Sequence, residues 1–490
     1  MDHIELNIKG KNGIVDKHII KHKSGDETKD KFYHRTSNQF KLFPYSTKWS
    51  KAYYNDFQYF NGITGECFRL SLNKSLKIKL ERGENYSSKL KSLIISSAIE
   101  RTSTVKSHSF KTILEDLFFQ DDNLYCFDRS TLPYLSFKND NSTLKEISAF
   151  IHNVFFDDEI DSEATREIET NQNVLYRVIK DSLPKLKDKK TNADIKYFTF
   201  NAEIISLFKN DFKFISSDET FFLNNIDKLL KYYYFIYVSQ LILKLNDFFD
   251  EKIHPIYFTI EKEVVSNTRL AFQNGWAYLE KRVGNIFSHA NALELLNYIE
   301  INGQKPKDYK KFKELFVDLN DTDQEQVIEK VNELKEFYKS KISKPNIGWD
   351  ECKNQLKIDP KYKGMQTVFE KAVYEFWFTV NFQFLNTERK KPYKDYQLWF
   401  AEFCKANFLK RRGRIGYTLA LNQEMLLFLT KLCVGVEEKI RLNSLWKRLA
   451  NRGVHFDESS RVEIVKLFEK INLIEKKSDS GDAQYVRRIL

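Results

Sequence analysis

The chain has 490 residues and 42% hydrophobic content, ample for a buried core and long enough for two to four domains. Only 16 glycines and 8 prolines occur among many Lys, Glu, Leu, Ile and Phe, which favours long helices and argues against a sheet sandwich. The net charge of +11, from 79 basic and 68 acidic residues, suits a nucleic-acid or acidic partner and equally a lysine-rich surface, so it selects no function alone.

The start, "MDHIELNIKGKNG", is polar and has no signal-peptide core. Residues 1–87 are aromatic and β-leaning, with turn signals at Pro44, Gly62 and Gly65. Such a segment wraps another domain or forms a small α+β cap. Residues 88–300 read as a helical domain. "SSKLKSLIISSAIERT" and "SFKTILEDLFF" repeat apolar residues every three or four positions, and 201–249 reads as two aromatic-rich helices. Within the latter, "YYYFIYVSQLILKL" is too short to span a bilayer and predicts a buried helix. A cytoplasmic protein is expected. "FDDEIDSEATREIE" reads as a solvated acidic loop leading into a helix, with a metal cluster as the weaker alternative. Residues 259–287 continue as one or two helices, and Asn291 is a possible cap for the next.

"EINGQKPKDYKK", 300–311, has the glycine, proline and basic run of a linker. A second helical region, 312–416, contains the amphipathic "TDQEQVIEKVNELKEFYKSK" and closes on the basic loop "KRRGRIG". Residues 422–490 form a third unit. Asn422 is placed to cap "NQEMLLFLTKLCV"; "EKIRL" is extended; "NSLWKRLANRG" carries Leu442, Leu445, Trp446 and Leu449 on one face. "DESSRVEIVKLFEKINLI" opens on Asp457 and Glu458 with a stripe of Ile464, Val465, Phe468 and Ile471, so Trp446 and Phe468 are expected to be buried together. "KKSDSGDAQYVRRIL" closes as a hairpin around a Gly-containing turn. Three helices, a short strand and a terminal hairpin predict a winged helix-turn-helix on a mainly α (α+β), multi-helical body. Its third helix shows a face of mixed sign, Ser459, Glu463, Lys466 and Lys470, without base-reading Arg or Asn/Gln pairs. The module therefore docks either a protein or a duplex, and the expected contacts for DNA are Lys410, Arg411, Arg412 and Arg414 in the loop, Lys466 and Lys470 on the helix, and Lys476, Lys477, Arg487 and Arg488 on the wing.

Catalytic signatures do not emerge. There is no phosphate loop, Gly-x-Gly-x-x-Gly, His-Glu-x-x-His or Gly-x-Ser-x-Gly. The five cysteines form no Cys-x-x-Cys pair and read as reduced and structural. Glu-x-Lys, part of a restriction-type metal nuclease, occurs at Glu351–Lys353, Glu388–Lys390 and Glu475–Lys477, as chance allows in a chain with 30% charged residues. His289 beside Ser288 is either half of a nucleophile pair or a hydrogen-bonded junction residue. No catalytic residue, metal or cofactor is expected.

"NQEMLLFLTKLCVG", "RGVHFDESS" and above all "KKSDSGDAQYVRRIL" resemble the C-terminal region of the DptG (DndG) proteins, and "GWAYLEKRVGNIFSHANALELLNYI" is similar to their middle. The resemblance implies a non-ATPase component of the bacterial system that restricts DNA lacking phosphorothioate modification. Its implied partners are a P-loop ATPase-type protein and a larger helicase-like ATPase, with double-stranded DNA and no membrane. No functional residues carry over from the family. A stand-alone winged-helix DNA-binding protein and a degenerate metal-dependent nuclease are the alternative readings.

Overall fold

The computed structural model of the protein describes residues 3–489 except 10–11, 25–26, 82–83, 103–106, 121, 138–140, 167–172, 190–195, 251–252, 343–347, 388 and 477–483. The protein is mainly helical, and its axis is the long helix Glu219–Asp247. Asp218 starts this helix by accepting the Phe221 N–H at 2.7 Å. From Tyr232 to Leu243 every residue is buried. A helix apolar on all sides must be surrounded. Helices Ala202–Ser216, Ser142–Phe155, Ile286–Leu296, Val368–Leu385 and Lys390–Asn407 contribute to the same core. That core runs unbroken from Ile14 to Val486, and a smaller one lies among helices Tyr86–Arg101, Ser107–Phe118 and Val174–Asp181. Among the described residues no helix is long and apolar enough to cross a membrane.

The N-terminal segment divides in two. Strand Ile4–Leu6 pairs with Ile299–Ile301, and 19–24 pairs with 27–32 as a hairpin. The aromatic stretch that follows wraps the body: Trp399 donates to the Ser46 carbonyl at 3.0 Å, and the Tyr45 and Tyr234 hydroxyls meet at 2.8 Å. The β-leaning expectation fails over Tyr54–Tyr59 and Asn61–Ser71, which are helices. Gly62 and Gly65 are not turn residues. They let the second helix press on 135–137, where a Cβ on Gly65 would stand 2.1 Å from the Leu135 oxygen and one on Gly62 2.4 Å from the Phe137 ring.

A four-stranded sheet lies outside the helical pattern. Its order is Leu409–Arg411, Tyr417–Leu421, Ile256–Ile260, Val454–Phe456, and its last two pairings are parallel. Residues 256–260, inside the stretch 88–300 read as a helical domain, are thus an inner strand, and Lys410 and Arg411 of the expected basic loop lie in the edge strand Leu409–Arg411.

Other expectations shift as well. Asn291 lies mid-helix and donates to the Phe287 carbonyl rather than capping. The acidic run forms helix Asp158–Ala164, with Asp157 as its cap. Four of its carboxylates are partnered, the first two while still exposed as expected: Asp157 with Lys209, Glu159 with Lys213, Asp161 with His152 and Glu163 with Arg129. Residues 300–311 are not an open linker, since Glu300 is in a strand and Asp308 and Tyr309 are buried.

Candidate nucleic-acid interface

The C-terminal unit consists of helices Gln423–Val434, Leu442–Asn451 and Glu458–Lys470 with strands Lys439–Arg441, Val454–Phe456, Ile474–Lys476 and Gln484–Arg487. Asn422 caps the first helix through the Met425 N–H at 2.8 Å. Gly453 ends the second with φ +87. Leu445, Leu449, Ile464 and Phe468 are buried, whereas Ile471 is 38% exposed. Trp446 does not join Phe468 in the core. It is half-buried, edge-on to Phe456 at 6.1 Å and beneath the Arg461 guanidinium at 5.6 Å.

The unit is fastened to the body at two buried points. Arg452 reaches Asp211, and the Val454–Phe456 strand joins the four-stranded sheet. One side of the N-terminal end of the third helix is also held by the body. Asp457 caps it through the Ser460 N–H at 3.0 Å and takes two bonds from Arg269, at 3.1 and 2.5 Å. Ser460 Oγ donates to Glu263 at 3.0 Å. Burial opposes the Asp457 charge, but the Arg269 and backbone hydrogen bonds outweigh it and hold its carboxyl below the usual range. A helix that reads a major groove presents its N-terminal residues to base edges. Here Asp457 and Ser460 of that end are taken up by the body, while Glu458 and Ser459 stay exposed.

The outer sheet face remains. Its strands run 439–441, 484–487, 474–476, all antiparallel. Ile440, Val486 and Ile474 align and pack inward, the first two fully buried. Alternation turns Lys439, Arg441, Arg487 and Glu475 outward around Tyr485, with Lys439 paired to Arg487 across the strands, 5.5 Å from the Tyr485 ring and in an ion pair with Glu475 at 2.8 Å. Lys439 and Arg441 are additions to the expected set. The Lys-Ile-Arg alternation around a buried Ile440 is the sequence signal that places them there.

Of the ten expected residues, some are open and others are engaged. Lys410, Arg411, Arg414, Lys470 and Arg488 are exposed. Lys466 pairs with Glu463 at 2.7 Å, Lys476 with Glu469 at 2.6 Å and Arg487 with Glu475 at 3.4 Å. These are exposed pairs that a phosphate can replace at small cost. Lys477 lies outside the described residues. Arg412 is different. Its guanidinium donates to the carbonyls of Glu261, Glu263 and Ile260 and to the hydroxyls of Thr259 and Thr418, at 2.7–3.2 Å. Its donors close the turn after the 256–260 strand, so it is no phosphate ligand. The strand carrying Lys410 and Arg411 is the opposite edge of the four-stranded sheet from 454–456, and the wing belongs to a separate three-stranded sheet.

Reactive groups are quenched. Ser288 donates to Asn381 at 2.8 Å while His289 meets the Tyr309 hydroxyl at 3.0 Å, so they form no nucleophile pair. Burial pushes the thiols of Cys126, Cys352 and Cys433 up to about 12. Glu351 and Lys353 lie on helix Gly348–Ile358 instead of a strand, while Glu388 and Lys477 of the other two matches lie outside the described residues. Among the described residues no group of three or more His, Cys, Asp or Glu could hold a metal ion. No protein-family model matches the chain, and no curated protein matches it in sequence.

Proposed function

We propose that the protein is a non-catalytic subunit of a bacterial DNA phosphorothioation-dependent restriction complex, joining P-loop and helicase-like ATPase partners and contacting double-stranded DNA. The observation that carries this reading is the C-terminal unit itself. Its order of helix, strand, helix, strand, helix and hairpin suits a winged helix-turn-helix whose strand Val454–Phe456 is lent to the four-stranded sheet, it is anchored by Arg452, and its outward sheet face carries Lys439, Arg441 and Arg487. The DptG-like stretches in the same unit supply the system. With Asp457 and Ser460 of the third helix held by the body and its exposed face of mixed sign, contact is assigned to the sheet face and wing. Such contact is to phosphates and carries no sequence information. This weighs against a stand-alone sequence-specific regulator.

Co-expression with the two ATPases tests the reading. A stable three-component complex that binds duplex DNA more tightly than the ATPases alone is expected. Separate elution of all three proteins would overturn it.

A further inference from the structure

A second basic site lies well away from the C-terminal unit, in the stretch that reads as a linker. A pocket of about 600 Å³ is lined by Lys244, Lys305, Lys307, Lys310 and Lys311, with Phe198 as an apolar wall. Asp308 and Glu314 in the lining, and Glu300 at 3.7 Å from Lys305, oppose them, which leaves a surplus of two positive charges among these described residues. Asp308 is committed to Lys244 at 2.8 Å, both side chains being nearly buried, and to capping helix Tyr309–Val317. Glu314 faces Lys310 and Lys311 at 3.6 and 3.2 Å in exposed pairs, and Lys305 meets Gln39 at 2.7 Å. Lys307 has no ion-pair partner among the described residues.

The backbone that presents these lysines is constructed, not slack. Asn302 and Gly303, at φ +52 and +72, make a tight turn closed by Ile301 and Gln304. Buried Pro306 follows. Lys307 then stands at φ +62, a left-handed conformation that a lysine adopts at a cost, with the Asp308 N–H bonded back to the Pro306 carbonyl at 2.8 Å. Asn297 holds it there, accepting the Lys307 N–H at 2.8 Å and donating to its carbonyl at 3.5 Å. The fold thus fixes an exposed lysine, in a strained geometry, at the mouth of a lysine-lined pocket beside the positive end of a helix.

We propose that this pocket binds phosphate groups and, resting on the DNA-contacting role above, that it seats the backbone of the duplex. Lys244 is twelve residues beyond Tyr232, whose hydroxyl bonds the Arg452 carbonyl, on one helix. At 1.5 Å per residue that separates the pocket from the C-terminal unit by about 18 Å along the helix, a span of roughly five base-pair steps.

The test uses the full chain, with inorganic tripolyphosphate and a 20-base-pair duplex as probes. The triple variant Lys305→Gln/Lys307→Gln/Lys311→Gln should lose tripolyphosphate binding and bind the duplex at least about tenfold more weakly at low salt, with a salt dependence shallower by up to about 0.9 for each phosphate no longer neutralised. A Lys→Arg triple at the same positions should retain both. Wild-type binding of both probes by the Gln triple overturns the site, as does an equal loss in a control triple at exposed Lys51, Lys77 and Lys79. Loss of tripolyphosphate binding with unchanged duplex affinity overturns the duplex assignment and leaves a site for free polyphosphate. If the wild type binds tripolyphosphate through these lysines but no duplex, with or without the ATPases, the phosphate site stands and the DNA-contacting role falls.

Discussion

Arg452 and Asp211, 241 residues apart, meet in a two-pronged ion pair at 2.6 and 2.9 Å. The Tyr233 hydroxyl adds a third bond to Asp211 at 2.6 Å. Burial works against the guanidinium charge, but the Asp211 hydrogen bonds more than reverse this, so the Arg452 pKa stands above its ordinary value.

Arg452→Ala should cost about 3–5 kcal/mol, because it strands the Asp211 carboxylate in the core. Arg452→Met with Asp211→Asn should recover part of that loss, since no lone charge is left behind. Urea unfolding of the two variants gives the comparison; equal losses would assign the cost to packing rather than to the ion pair.

The two large aromatics of the C-terminal unit should separate. Phe468 is fully buried, so Phe468→Ala should cost about 3–5 kcal/mol. Trp446 is partly solvated and stacked under Arg461, so Trp446→Ala should cost clearly less, on the order of 1–2 kcal/mol from its smaller buried area. The ordering of denaturation midpoints checks this.

Much of the helical fold is legible from periodicity and caps. Helix Asp321–Lys341 and the Asn422 cap follow from local rules that act within one turn. The inner strand Ile256–Ile260 is not legible, because both its neighbours lie more than 150 residues further on and nothing local distinguishes it from a buried helix turn. Gly62 and Gly65 mislead for a related reason: the small side chain that suits a turn also suits a close helix contact. In the candidate interface, Arg412 looks like its basic neighbours, and only the fold shows its donors consumed. The lysines of 305–311 read as a solvated linker because their shared pocket is made with Lys244, far away in sequence.

Gly65→Ala is the sharpest check of that helix contact. The added methyl meets a backbone oxygen at 2.1 Å and cannot be absorbed by a side-chain rotation. A loss of at least about 1–3 kcal/mol is expected in thermal or urea unfolding. Gly364→Ala, with open space around its Cβ position, should be close to neutral by the same measurement.

Stability should fall on mild acidification. Burial holds the pKa of both His34 and His289 well below the usual histidine value, with Arg389 and Lys361 adding to the effect. The folded chain keeps both rings neutral while the unfolded chain takes up protons as pH falls through about 6.5. Their contribution is therefore complete above that pH and is lost below it, by up to about 1.4 kcal/mol per unit for each ring, until the depressed folded value is reached. Urea midpoints at pH 7.5 and 5.5 measure the slope, and His289→Gln should make it shallower.

For the wing, Arg487→Ala with Arg488→Ala should leave the melting curve unchanged and weaken duplex binding equally for all sequences. The salt dependence should become shallower by up to about 0.9 for each phosphate these arginines neutralise. Anisotropy titrations at several salt concentrations, with and without the ATPase partners, read both quantities. Unchanged affinity in every condition would leave the arginine pair as a solubilising chain end.

The parallel pairing of 256–260 also sets a schedule for synthesis. When Ile256–Ile260 leaves the ribosome, its first neighbour, Tyr417–Leu421, is still about 160 residues from being made. At 5–20 residues per second the strand waits roughly 8–30 seconds with both edges unsatisfied. The other edge closes only when Val454–Phe456 follows later still. A chain halted inside that interval displays an apolar strand, "IYFTI", with nothing beside it. Interrupted synthesis is then a condition that leaves both edges of this strand open to pairing with another chain.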